Sequence, residues 1–262
     1  MKIAVCAKVA PDTATPRITA KGDGSGIDTT GIKFVVSPYD LFAVTEGIVL
    51  KEQGKASAVH LFTVGGDSDV TVLRGGALAL GAEDLTLVDD PALAEADSLA
   101  VARSLAAAIG QGEFGLVLCG KQAVDHDNVQ VPAMLAELLG WPHVSLVDDL
   151  VIDGDGFTAT RNVGGGVAEV VKGTLPAVVT CDKGLVEPRY AKLPDIMKAK
   201  QKKVHKKTLG DLGLSAADVA PAATYTAYGE PPPRPKGRML EGDVAGMVDQ
   251  LVDALRNEAK VL

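Results

Sequence analysis

Aromatic residues are scarce in this chain, 4% of 262 positions with one tryptophan, while glycine and alanine are abundant. That composition suits tightly packed layers of helix and sheet better than an aromatic-rich sandwich. Cysteine is also rare. Cys6, Cys119 and Cys181 each sit in or beside an apolar run, with no C-x-x-C spacing and no histidine cluster. A disulfide framework or metal site is not expected from them; buried thiols in a reducing compartment are. No apolar stretch reaches membrane-spanning length, and the opening "MKIAVCAKV" turns polar too soon for a signal peptide. The expected compartment is the cytoplasm. A net charge of −8 argues against broad affinity for nucleic acid or an anionic membrane.

What is present is an alternation. "KIAVCAKV" (2–9), "AVHLFTVGG" (58–66), "LTLVDD" (85–90), "GLVLCG" (115–120) and "AVVTCD" (177–182) are short apolar runs that read as buried strands. Amphipathic stretches lie between them. Residues 37–54 have Ser37 as an N-cap, Pro38 in the first turn and Gly54 as a stop. Residues 67–81, 97–110 and 127–139 follow the same plan, each closed by glycine. Apolar strands alternating with helices predict an α/β fold, a mostly parallel sheet with helices on both faces. Right-handed crossovers then gather the loops 7–13, 64–69 and 120–131 along one sheet edge, where helix N-termini favour anions and nucleotides.

Beyond residue 143 the period becomes two, around "DGDG" and "GGG" turns, and predicts antiparallel hairpins. The boundary is set at 1–207 for the α/β domain and 208–262 for a C-terminal arm. The proline-rich "APAATYTAYGEPPPRPKGRML" is no regular core element, and Asp243–Asn257 closes the arm as an amphipathic helix. Such an arm either folds back on its own domain or embraces another subunit, with the second preferred.

Acid–base machinery is missing from the sequence. The four histidines are dispersed, and no G-x-S-x-G, H-E-x-x-H, Walker A or G-x-G-x-x-G motif occurs at a fitting position. His60, inside a strand run, reads as a satisfied core or edge histidine. The most informative loop is "GKQAVDHDNVQVP": Gly120 ends a buried strand, and polar residues crowd the approach to an apolar helix. Asp127 or Asn128 could cap that helix; alternatively the helix start holds a phosphate. The second notable stretch is "EPRYAKLPDIMKAKQKK" (187–203). Pro188 and Pro194 stiffen it into a loop presenting Arg189, Tyr190 and Leu193, followed by a dense cationic run. That run is either a solvated face or a docking surface.

"GKQAVDHDNVQ" together with "LPAVVTCDKGLVEPRYAKLPDIMKAKQKK" resembles the β subunit of electron transfer flavoprotein, and "EPRYAKLPDIMKAK" is a highly specific part of the likeness. It extends through residues 1–213 and more loosely into the tail. The resemblance implies a heterodimer whose α subunit carries FAD at the interface, and a recognition loop that meets acyl-CoA and other flavin dehydrogenases. On that likeness Arg189, Tyr190, Leu193, Pro194, Ile196, Met197, Lys198 and Lys200 form the partner-docking segment, with Leu193 its apolar anchor. Asp12 and Thr13 fall nearest the FAD ring by position.

The resemblance also implies a second nucleotide in this chain: AMP, or a second FAD in electron-bifurcating relatives. Ala7, Ser37, Val64, Gly120, Ala123, Asp125, Asn128, Gln130 and Val131 match the positions that line that site. "GWPHV" and the lysine of "GKQA" are similar to the AMP-binding group, whereas "ADSLAVA" and "VQV" lean toward the bifurcating one. Val101 stands where the latter has a threonine, Pro132 replaces a glycine, and Asn162 replaces a glutamate that orients the FAD domain. AMP is favoured narrowly. The expected role is an electron-carrier subunit rather than a stand-alone enzyme. Its alternatives are an NADH-oxidising bifurcating subunit, a nucleotide-binding sensor without redox role and, last, an ATP-dependent ligase or hydrolase.

Overall fold

The computed structural model describes residues 1–14, 18–234 and 236–262. Its first strand, β1 (Lys2–Cys6), ends earlier than the apolar run implied, because the chain leaves the sheet at Ala7. β2 (Val9–Pro11) and β3 (Phe34–Val36) instead pair antiparallel in a small separate sheet. Then follow α1 (Pro38–Glu52), β4 (Ala58–Val64), α2 (Asp67–Gly76), β5 (Asp84–Val88), α3 (Ser98–Gly110), β6 (Leu116–Gly120) and α4 (Val131–Leu139). The hairpins are β7 (His143–Asp153), β8 (Gly156–Gly164) and β9 (Val167–Thr174). β10 (Ala177–Cys181), α5 (Leu193–Ala199), β11 (Val204–Lys207) and α6 (Val244–Asp253) complete the described chain, with a π-helical turn at Ala254–Glu258.

Nine strands form one sheet in the order β11-β5-β4-β1-β6-β10-β7-β8-β9. From β11 to β7 every pair is parallel, and β7, β8 and β9 pair antiparallel. Side chains alternate across a strand, so β1 feeds two cores at once. Ile3 and Val5 join Leu61, Leu116 and Leu118 under α1 and α2, while Ala4 and Cys6 join Phe62, Val117 and Cys119 under α3 and α4. Both faces are therefore covered, and each fully buried leucine contributes about 1.5–3 kcal/mol.

The helices begin and end for local reasons. Pro38 starts α1 at no hydrogen-bond cost, with Asp40 in its first turn and Lys51 in its last. Ser37 occupies the N-cap position, yet its hydroxyl makes no cap bond and is buried without a partner. α2 is shorter than the 67–81 stretch: it stops at Gly76 and gives way to a 3₁₀ turn at Leu78–Leu80. α4 begins at Val131, not at Asp127, because Asp127 and Val129 take left-handed φ values of 50° and 54°. Neither Asp127 nor Asn128 caps it. Gly140, at φ 66°, ends it in the left-handed conformation that glycine adopts without penalty.

Two further departures concern the C-terminal half. The cationic run is ordered: part of it is α5, and Val204–Lys207 adds an edge strand parallel to β5. Leu209, Leu212 and Val219 are buried, so the chain keeps contributing to the core past residue 208. α6 carries exposed Val244, Val248 and Leu251 and packs chiefly on the π-helical turn that follows it. No helix of the described residues is long and apolar enough to cross a membrane.

Candidate functional site

The chain runs outward from β1 to β4 and β5, then returns across the sheet to β6 on the other side of β1. This reversal leaves a crevice beyond the carboxyl ends of the strands. A cavity of about 590 Å³ occupies it, lined by Cys6, Ala7 and Lys8 after β1, Val64 at the end of β4, and Cys119 and Gly120 at the end of β6. Of the residues marked by resemblance, Ala7, Val64, Gly120, Ala123, Asn128, Gln130 and Val131 all line it. Ser37 and Asp125 do not. Ser37 sits one shell behind, its amide donating to the Lys8 carbonyl at 2.8 Å. Asp125 lies 2.7 Å from the Lys8 ammonium and so neutralises a cation on the cavity wall.

Asp40 was not singled out by the sequence, although it organises the floor. Its carboxylate accepts the Lys8 amide at 2.8 Å and the Gly120 amide at 3.0 Å, tying α1 to the loops after β1 and β6. Burial pushes its pKa up to about 7, against the pull of those two donors. Gly120 is required by the same contact. A Cβ there would stand 2.7 Å from the Asp40 nitrogen and the Tyr39 carbonyl carbon. The close approach is therefore to the α1 backbone as well as to the cavity. Cys119 and Cys6 are neighbours on β6 and β1; a hydrogen bond that the Cys119 thiol donates to Cys6, together with burial, raises it well above its ordinary value. Such a thiol stays protonated and is no nucleophile.

Two helix N-termini open onto the cavity, α3 through Asp97, Ser98 and Leu99, and α4 through Gln130 and Val131. Amides of a first helical turn have no intrahelical acceptor and attract anions, though Pro132 removes one donor. The wall opposite is supplied by Ala222, Ala223, Thr224 and Tyr225 from the C-terminal arm. Lys121 lines the edge, its ammonium 2.9 Å from Asp182 and 4.8 Å over the Tyr39 ring. The cavity thus has the volume of a small-molecule site, with an anion-accepting end at α4 and the Asp97 carboxylate capping α3.

The second candidate surface is α5, which the sequence read as loop. Lys192 stands at its N-cap and Pro194 in its first turn. Leu193 is 72% exposed, Tyr190 81% and Met197 54%, and Pro194, Lys198 and Lys200 are exposed beside them. Ile196 turns inward and packs on the core, and Ala199 is fully buried. The helix is clamped at both ends. Arg189 grips Glu52 of α1 through two bonds of 2.7 and 2.8 Å, and its amide reaches the Thr45 hydroxyl at 3.3 Å. Arg74 of α2 holds the carbonyls at the other end, and Lys202 donates to the carbonyls of Leu78 and Ala82.

His60 is a satisfied histidine on the interior strand β4: Asp84 accepts from its Nδ1 at 2.7 Å and faces His205 Nε2 at 3.2 Å. Among the described residues no group of three or more His, Cys, Asp or Glu is placed to hold a metal ion. Asn162 uses its side-chain oxygen locally, accepting the Gly164 amide in the β8–β9 turn.

The pattern of an electron transfer flavoprotein domain matches residues 25–212, which include most of the cavity and all of α5. The chain is 41% identical over 246 residues to the electron transfer flavoprotein subunit beta of Bradyrhizobium diazoefficiens, covering 94% of each. It is 39% identical to the mitochondrial subunit beta of Oryza sativa subsp. japonica, covering 100% of each. With that of Bacillus subtilis identity is 38%, over 90% of this chain and 91% of the other. The chain belongs to the electron transfer flavoprotein β-subunit family. Electron transfer through a flavoprotein is the activity this family membership carries.

Proposed function

We propose that this chain is one half of a heterodimeric electron carrier that passes electrons from flavin dehydrogenases, such as acyl-CoA dehydrogenases, to a further acceptor. FAD held with an α subunit would supply the one- and two-electron chemistry. Exposed apolar residues on the β8–β9 hairpin (Val163, Val167, Val170) and on α6 support an α-subunit interface. Asp12 and Thr13, after β2, belong to the loop assigned to the FAD side. The carrying observation is Leu193: a 72% exposed leucine on a helix clamped at both ends. Exposing it serves no fold purpose, and rigid presentation suits a partner that must bind and release quickly. Tyr190, Met197, Lys198 and Lys200 frame it, and lysines there steer acidic partners at long range.

Within this chain the cavity holds AMP in a structural role. The uncapped N-terminus of α4 supports a phosphate there, and the size supports one nucleotide. Val101 lines the cavity, so the hydroxyl that the bifurcating group carries at this position is absent from the wall. The test is to extract the nucleotides of the purified heterodimer, with one FAD and one AMP expected; two FAD would turn the assignment to an NADH-oxidising bifurcating subunit. A flavin-free homo-oligomer would instead favour a nucleotide sensor. The cytoplasm is the compartment proposed, and fractionation checks it.

A further inference from the structure

The C-terminal arm has a feature that its role as a subunit-embracing tail does not require. Before leaving the domain it crosses the mouth of the cavity, and it is fastened on both sides. On the near side Val219 is fully buried beside Ala100 and Leu209, and Arg103 of α3 donates to the Asp218 carbonyl at 2.6 Å. On the far side the Tyr228 amide donates to the Gly24 carbonyl at 2.9 Å. Ala222 to Tyr225 span the gap and line the cavity between these anchors.

One carboxylate fixes the middle. Asp97 Oδ1 accepts the Ala100 amide at 2.8 Å and caps α3. Its Oδ2 accepts the amides of Ala222 at 2.7 Å and Ala223 at 3.1 Å. Tyr225 then lies over the polar loop, its ring 5.5 Å from that of His126 and its hydroxyl 3.5 Å from the Asn128 amide nitrogen. Two bonds from neutral amides to a carboxylate are individually strong. No helix or strand forms between Leu212 and Val244 among the described residues, so the arm is held here by these contacts rather than by regular structure.

We propose that Ala222–Tyr225 is a retaining strap over the nucleotide pocket and that Asp97 is the positioning residue that clasps it. A nucleotide at the α4 N-terminus then leaves only when Asp97 releases the two amides. Because the same arm leads to α6, pocket occupancy and the lie of the arm are linked. This inference rests on the reading of the cavity as an adenine-nucleotide site.

The test uses the intact heterodimer loaded with labelled AMP and chased with excess unlabelled AMP. Ala223→Pro removes one donor to Asp97 and leaves the α3 cap untouched; Asp97→Asn keeps a capping oxygen but takes away the charge. Both variants are expected to exchange AMP about tenfold faster, with flavin content and unfolding midpoint as in the parent. Exchange at the parental rate in both overturns the strap, and so does acceleration that merely tracks a lowered midpoint. A parent heterodimer that takes up no AMP overturns the adenine-nucleotide reading itself, and the strap with it.

Discussion

Arg74 and Lys200 are joined across the molecule: the Arg74 guanidinium donates to the Lys200 carbonyl at 2.8 Å. The same nitrogen lies 3.0 Å from the carbonyls of Ala199 and Lys202. A helix C-terminus carries unpaired carbonyls and partial negative charge, so a cation there both satisfies and pins it. A residue on α2, more than a hundred positions upstream, thereby pins the C-terminal end of the helix that begins at Leu193.

Arg74→Ala should loosen α5 by about 2 kcal/mol of local stability. Hydrogen exchange over residues 193–200 should quicken, and trypsin should cut sooner after Lys198 and Lys200. Arg74→Lys is expected to fall between, because an ammonium lacks the planar fork. Unchanged protection in the alanine variant would remove the clamp.

Leu193→Ala should leave folding, heterodimer and flavin content intact, since the side chain is 72% exposed. Electron transfer from an acyl-CoA dehydrogenase should weaken about tenfold, the loss typical of one interface anchor. Stopped-flow reduction of the carrier measures it, and parental kinetics would remove the docking role.

Acid should stabilise the fold over a defined window. Asp40 and Glu46 are both raised to about 7, from ordinary values of 3.8 and 4.5. Burial is the main cause in each, with the nearby Asp149 charge adding to it for Glu46. A carboxyl that titrates higher when folded keeps a proton that the unfolded chain has released. Stability therefore falls as pH rises from about 4 to about 7, and levels off above. Glu46→Gln should flatten that slope in urea unfolding and raise stability at pH 8. An equally steep slope in the variant would assign the dependence elsewhere.

Gly120→Ala should cost about 1–3 kcal/mol, because its Cβ presses on the rigid start of α1 rather than on a flexible side chain. Thermal unfolding checks the magnitude. AMP content should fall alongside, since Asp40 and the Gly120 amide shape the cavity floor.

Much of this was legible in the chain itself. The apolar runs at 2–6, 58–64, 84–88, 116–120 and 177–181 are buried on both faces, so their composition alone marks them as central strands. The hairpins after His143 announce themselves by period two and glycine turns. Most of the cavity residues were within reach too, since ligands gather where such strands end, at Ala7, Val64 and Gly120. Other features left no local trace. Residues 187–203 read as a proline-stiffened loop with a cationic run, and Leu193–Ala199 is a helix because Ile196 and Ala199 find a core and Arg74 and Arg189 find acceptors far away in sequence. Asp40 looks like an ordinary first-turn acid until two distant amides converge on it. Sequence patterns of short period determined the layers and the sheet edge where the cavity opens. Only the tertiary structure decided what runs along the cavity wall and what holds α5, because those contacts pair single polar groups across 30 to 145 residues, and no periodicity records them.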